Sequence, residues 1–124
     1  MNNKRPVNLD IFSIRFPLPA ITSILHRVSG AFLLLGIGGL LYLLDMSLAS
    51  EAGFAAAGEL LAEPLARIVL WLILTALAYH FIAGCKHLLM DMGIAEGKAS
   101  GNLAARLVLV LFAATAIALG VWLW

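Results

Sequence analysis

The sequence has few charged residues and one cysteine. Charged side chains make up 12% of its 124 residues and hydrophobic ones 63%, whereas a soluble domain usually carries about 25% charged residues. Lipid is therefore the expected solvent. No basic run suggests a nucleic-acid partner, and Cys85 alone cannot form an internal disulfide. A chain this short predicts one domain, residues 1–124, in which three membrane helices of about 20 residues would take up roughly half.

The N-terminal region also lacks the features of a targeting leader. Residues 1–6 are polar and contain a proline, with no short apolar stretch followed by a small-residue cleavage site. The early Asp10 is not typical of an acid-poor mitochondrial import sequence. We therefore expect no cleaved signal peptide and a multi-pass location in a bacterial cytoplasmic (inner) membrane. Residues 8–16 are a candidate for a short interfacial helix.

Three long apolar runs predict an all-α membrane protein with three transmembrane helices. The predicted spans are about residues 21–48, 64–91 and 103–124. Pro17 and Pro19 mark where the first helix begins, Pro64 suits a first helical turn, and Gly93 is placed to end the second helix. The Ala-, Gly- and Glu-rich residues 45–63 are expected to form a loop.

The Lys and Arg residues are distributed unequally between the two sides of the membrane. Seven of the eight fall on the side of the N-terminus: Lys4, Arg5, Arg15, Arg27, Lys86, Lys98 and Arg106. Arg67 lies on the other side among four acidic residues. The positive-inside rule therefore places the N-terminus in the cytoplasm and residues 45–63 in the periplasm.

Two histidines interrupt the second apolar run, where ionisable residues are costly and mark candidate functional sites. His80, Gly84, His87 and Asp91 share one helix face to within about 40°. A b-type haem needs a histidine ligand, a glycine where the flat macrocycle meets the backbone, and polar groups for its propionates. His80, deep in the span, is predicted to ligate iron, and His87 to contact a propionate or a water. Alternatively, His80 only hydrogen-bonds a serine or carbonyl of a neighbouring helix.

The second axial ligand of such a haem is expected from another subunit. His87 shares the helix face of His80, so it cannot reach the opposite side of the ring, and His26 belongs near the cytoplasmic surface. This chain would then form half of a haem site.

A second polar cluster lies at the start of the first helix. Ser23, His26 and Arg27 are spaced i, i+3 and i+4, so they share one face at the cytoplasmic boundary. A hydroxyl and a guanidinium there are suited to bind quinone carbonyl oxygens and haem propionates. The alternative is that Arg27 is a topology anchor and Ser23 a helix cap.

These segments are similar to those of a known family. The similarity is carried by RPVNLD at residues 5–10, SILHRVSG at residues 23–30 and HFIAGCKHLLMD at residues 80–91. With these motifs, and with its number and order of spans, the chain resembles the cytochrome b membrane anchors of succinate dehydrogenase. Lys86 departs from the arginine usual in the family, which affects any bidentate propionate or lipid contact there.

The resemblance implies a four-subunit complex: a flavoprotein, an iron-sulfur protein and two membrane anchors packed in one helix bundle. It implies that the anchors share haem b and form the ubiquinone site, with no catalytic activity from this chain alone. His80 would be the axial ligand, Ser23 and Arg27 would bind quinone, and His26, Arg27 and His87 would line the haem edge. A haem-free anchor, a small transporter or proton channel, and a dihaem anchor are the alternatives; one mid-span histidine argues against the last.

Overall fold

The structure is a computed structural model that describes Asp10 and residues 13–124. Four helices account for most of these residues: α1 over Leu18–Ala49, α2 over Glu51–Ala62, α3 over Pro64–Asp91 and α4 over Lys98–Leu123. Residues 13–17 are not helical, and positions 8, 9, 11 and 12 of the predicted interfacial helix lie outside the described residues.

The three long helices have the length and composition of membrane spans. They contain 32, 28 and 26 residues, or about 48, 42 and 39 Å at 1.5 Å per residue, against a hydrocarbon core of about 30 Å. Large apolar side chains such as Leu34, Leu35 and Val121 are exposed on their outer surfaces, as expected for lipid- or subunit-facing positions. The prediction of an all-α protein with three membrane helices is confirmed.

The segment between the first two spans is helical, where the sequence predicted a loop. α1 continues past Asp45 to Ala49, and only Ser50 is extended, with φ −169° and ψ 168°, before α2 begins. The Ser50 hydroxyl oxygen accepts a hydrogen bond from the Gly53 N–H at 3.0 Å, a cap that stabilises a helix by about 1 kcal/mol. The run of alanines that follows favours helix. Glu63 is extended, as a residue before proline should be, so Pro64 starts α3.

α3 packs against both α1 and α4, which also contact each other. Tyr79, Ala83 and Val108 form the buried core of the α3–α4 contact, and the Tyr79 and Phe112 rings meet edge to face with centroids 5.1 Å apart. Ala83 and Ala105 are fully buried. Small residues at these positions let the two helices approach closely, which is how membrane helices gain packing energy.

The turn from α3 to α4 is tight. Gly93 has φ 81° and Ala95 has φ 64°, both in the left-handed region. α3 ends at Asp91, two residues before this glycine, which confirms the expected role of Gly93 as a helix terminator.

Candidate functional site

The three histidines of the chain meet where α1 crosses α3. The His26 and His80 rings are stacked, with centroids 4.1 Å apart and planes inclined by 12°. The His87 ring is 5.1 Å from that of His26 and is tilted by 51°. All three are half-buried. His26 of α1 thus lies against the α3 face that carries the other two.

The Nδ1 atom of His80 contacts two groups of α1. It is 3.1 Å from the backbone carbonyl oxygen of His26 and 3.1 Å from the Ser29 hydroxyl. Ser29 also donates a hydrogen bond of 2.8 Å to the same His26 carbonyl. Because a carbonyl can only accept, Nδ1 is the protonated nitrogen of His80. The lone pair of Nε2 is then available for a metal.

This arrangement fits a haem ligand. Histidines that bind metals generally donate their other ring N–H to a carbonyl, a carboxylate or water, which fixes the tautomer and orients the ring. The described residues contain no cluster of three or more His, Cys, Asp or Glu side chains suited to a bare metal ion. A haem needs only axial ligands from the protein, and His80 can supply one.

The stacking bears on the second axial position. A haem held by His26 and His80 together would have to lie between these two residues. Rings stacked face to face at 4.1 Å leave no space for a macrocycle between them. His26 therefore cannot pair with His80 as the opposite ligand in this geometry.

Two glycines make room for the histidines. A Cβ added to Gly30 would lie 3.0 Å from the Cε1 atom of His80, and one added to Gly84 would lie 3.4 Å from the Nε2 atom of His26. Gly84, selected from the sequence as a surface for a flat macrocycle, here lies against the His26 ring. No role was predicted from the sequence for Ser29 or Gly30, although they follow His26 by three and four residues and so share its helix face.

A second buried cluster lies beside the histidines. Lysines near the end of a membrane helix usually extend to the interface, but the Lys86 side chain is only 6% exposed. Its ammonium donates to the Thr22 hydroxyl at 3.4 Å, and Tyr79 donates to the Thr22 carbonyl at 2.8 Å. Lys86 lies three residues after the fully buried Ala83, on the face of α3 that packs within the bundle, which explains why it is enclosed.

Ser23 and Arg27 are polar residues of α1 whose side chains make no hydrogen bond within the described residues. Arg27 is exposed and Ser23 half-buried. Within residues 13–124, neither side chain makes a hydrogen bond or an ion pair. No hydrogen bond joins the Ser23 hydroxyl or the Arg27 guanidinium to a histidine in the described residues. The structure therefore brings His26 of α1 together with His80, Gly84 and His87 of α3, and leaves Ser23 and Arg27 next to His26 on α1.

Comparison with known proteins places the sequence among membrane subunits. The family model described as "Succinate dehydrogenase/Fumarate reductase transmembrane subunit" matches residues 1–121. The succinate dehydrogenase cytochrome b556 subunit of Coxiella burnetii is 39% identical over 125 residues, covering 100% of both chains. The cytochrome b556 subunit of Paracoccus denitrificans is 37% identical over 89 residues, which cover 72% of this chain and 68% of that protein.

A more distant similarity extends to a mitochondrial protein. The succinate dehydrogenase cytochrome b560 subunit of Dictyostelium discoideum is 30% identical over 115 residues, covering 86% of this chain and 58% of the relative.

Proposed function

This chain belongs to the succinate dehydrogenase/fumarate reductase transmembrane subunit family, and on that premise we propose that it anchors a succinate dehydrogenase in the membrane and holds one side of a haem b site. The observation that carries the proposal is the hydrogen bond from His80 Nδ1 to the His26 carbonyl, with an N···O distance of 3.1 Å. It leaves Nε2 as the free ligand atom.

The residues proposed for the haem site have different tasks. His80 would hold the haem iron through Nε2, His26, Arg27 and His87 would provide polar contacts for the propionates, and Gly84 would keep the adjoining helix surface free of a side chain. Bound haem supplies a one-electron acceptor and donor in this membrane region. A second ligand for the iron would come from a partner anchor, because His26 stacks on His80 with ring centroids 4.1 Å apart and His87 is on the same helix as His80.

Ser23 and Arg27 are proposed to bind the carbonyl oxygens of ubiquinone. The Ser23 hydroxyl and the Arg27 guanidinium are hydrogen-bond donors, and neither has a partner in the described part of the chain. A fixed cation beside a carbonyl oxygen stabilises the negative charge that grows there as the quinone is reduced. The electrons would come from other subunits, so no catalytic activity is expected from this chain alone.

The proposed partners are a second membrane anchor, an iron-sulfur subunit and a flavoprotein. The proposed domain is the whole of residues 1–124, embedded in a bacterial cytoplasmic membrane. Large apolar side chains exposed along α1, α3 and α4 are consistent with contacts to lipid and to the helices of a second anchor in a common bundle.

The proposal is tested by purifying the tagged chain from its native membrane. The complex should contain the three partner subunits and show the reduced-minus-oxidised absorption bands of a b-type haem. The competing possibility is a membrane anchor that binds no haem. In such an anchor, the hydrogen bonds of His80 to the Ser29 hydroxyl and the His26 carbonyl would serve only to join α1 and α3. Co-purification of the same subunits without the haem bands would support that alternative.

The topology can be tested with reporters. A periplasm-specific reporter fused after Trp124 should be active, and one inserted near Lys98 should be inactive, because seven of the eight Lys and Arg residues lie on the N-terminal side. A cytoplasm-specific reporter should give the opposite result at each site. Reversed activities would place Ser23 and Arg27 on the periplasmic side and remove the proposed quinone site from the reach of a cytoplasmic iron-sulfur subunit.

Gly30→Ala should weaken haem binding through His80. The added methyl group would be 3.0 Å from His80 Cε1, and overpacking of this kind typically costs about 1–3 kcal/mol. We expect a lower haem-to-protein ratio in the purified complex. Gly39→Ala on the same helix is the matched control, because its Cβ would meet nothing within 4 Å in the described residues. Equal haem content in the two variants would show that the Gly30 contact does not position the ligand.

A further inference from the structure

We propose that Ser29 is a positioning residue for His80, which fixes the imidazole plane and its Nδ1–H tautomer and thereby strengthens Nε2 as the ligand. The inference deepens the proposed function and rests on His80 being the axial ligand. Ser29 is on α1 and His80 is on α3, 51 residues along the chain. The hydrogen bond between them therefore connects the two helices at His80, the proposed iron ligand.

The direction of each hydrogen bond follows from the His26 carbonyl oxygen, which can only accept. The Ser29 hydroxyl proton is directed at the His26 carbonyl, since that contact is 2.8 Å. Its oxygen lone pairs then accept from His80 Nδ1–H, which is 3.1 Å from both the hydroxyl and the same carbonyl. The Nδ1 proton is thus shared between two acceptors. In the opposite tautomer, the Nδ1 lone pair would face the carbonyl oxygen, which is repulsive.

The contact with His80 distinguishes Ser29 from an ordinary helical serine. Ser47, also on α1, makes the same type of bond to the carbonyl three residues earlier, at 2.8 Å. Its hydroxyl makes no hydrogen bond to another helix in the described part of the protein and is near the end of α1. Ser29 is 8% exposed and faces α3. Its hydroxyl is therefore placed to act on a residue of another helix as well as on its own backbone.

The chemical consequence concerns the basicity of the imidazole. An acceptor at Nδ1–H increases electron density on the ring, so Nε2 becomes a stronger donor. A stronger donor favours the ferric over the ferrous state and holds the metal more tightly. Loss of such an outer partner typically weakens metal binding by about 10- to 100-fold. The His26 carbonyl would remain as the second acceptor, so loss of the Ser29 hydroxyl should not abolish binding.

The test compares Ser29→Ala with wild type in the purified four-subunit complex. We expect the haem to be retained, its midpoint potential to rise, its ferric low-spin EPR g values to shift, and its loss to a haem acceptor protein to become about 10- to 100-fold faster. Ser29→Thr keeps the hydroxyl and should restore the potential and g values toward wild type. Should Ser29→Ala fail to assemble, Ser29→Cys, similar in size but a weaker acceptor, should show the same shifts.

Thr75→Val is the matched control. Thr75 is also 8% exposed, and its hydroxyl has no hydrogen-bond partner among the residues that the structure describes. Its variant should keep the wild-type potential and EPR spectrum. Wild-type values in Ser29→Ala, or equal shifts in Ser29→Ala and Ser29→Thr, would overturn the role of Ser29 while leaving a His80-dependent haem in place. A haem that survives His80→Ala would overturn the proposed ligand and this inference together.

Discussion

His80→Ala or His80→Leu is expected to abolish the low-spin haem b spectrum of the assembled complex. The substitution would remove the proposed ligand of the haem iron, and the chain has only two other histidines. The His26 ring is stacked on the His80 ring, with centroids 4.1 Å apart. Because His26 is on α1 and His80 is on α3, His26 does not take the position of the lost ligand. The measurement is the reduced-minus-oxidised spectrum per mole of complex, with subunit content determined on the same sample.

His87→Ala is the matched control for that experiment. His87 is on the same helix and, like His80, half-buried, but it is 5.1 Å from the His26 ring and is assigned to the propionate edge. It should reduce haem content or alter the spectrum less than the His80 variants. An unaltered low-spin spectrum in His80→Ala, in complexes of normal subunit content, would show that iron is held by other residues.

The membrane helices could be predicted because lipid imposes a simple rule on sequence. A segment long enough to cross the hydrocarbon core must be apolar throughout, and prolines and glycines mark its ends. The helix α2 was harder to predict from the sequence. Residues 51–62 are neither apolar enough to span nor strongly amphipathic, and their helix depends on the Ser50 cap and on the sharp turn that Gly53 permits, where an added Cβ would collide with the Met46 carbonyl.

The members of the histidine site could be selected from the sequence, but their mutual geometry could not. Helical periodicity places His80, Gly84 and His87 on one face. It says nothing about which residues of α1 oppose them. That register depends on close contacts such as Gly36 against Ile73, where an added Cβ would lie 3.1 Å away. Ser29 and Gly30 become relevant only once the register is known.

Lys86 illustrates the same limit for a charged residue. A lysine near the end of a membrane helix normally extends to the interface, and periodicity shows only that it is off the histidine face. Its burial depends on a specific neighbour, Thr22, whose hydroxyl accepts from the ammonium at 3.4 Å. Long-range contacts between helices determine such pairs, and one sequence does not encode them in a local pattern.

Ser23→Ala and Arg27→Leu are expected to separate quinone reduction from succinate oxidation. Succinate should still reduce the complex, and artificial dye acceptors should remain active, because the proposed flavin and iron-sulfur centres are in other subunits. The quinone would lose donors that orient its carbonyls and stabilise the developing charge. Loss of one such donor typically costs about 3 kcal/mol, or a hundredfold or more in rate.

The decisive quantity is the ratio of quinone-reductase to dye-reductase turnover in complexes of normal subunit content. Arg106→Leu is the matched control for Arg27, because Arg106 is also exposed and is assigned to the same side of the membrane, but on α4. It should keep the wild-type ratio, which would exclude a general effect of removing a surface cation. Removal of a donor that contacts the reacting carbonyl must slow the reduction of the quinone. If the ratio also stays at the wild-type value in Ser23→Ala and Arg27→Leu, Ser23 is therefore only a polar group near the end of the helix, and Arg27 is only a topology anchor.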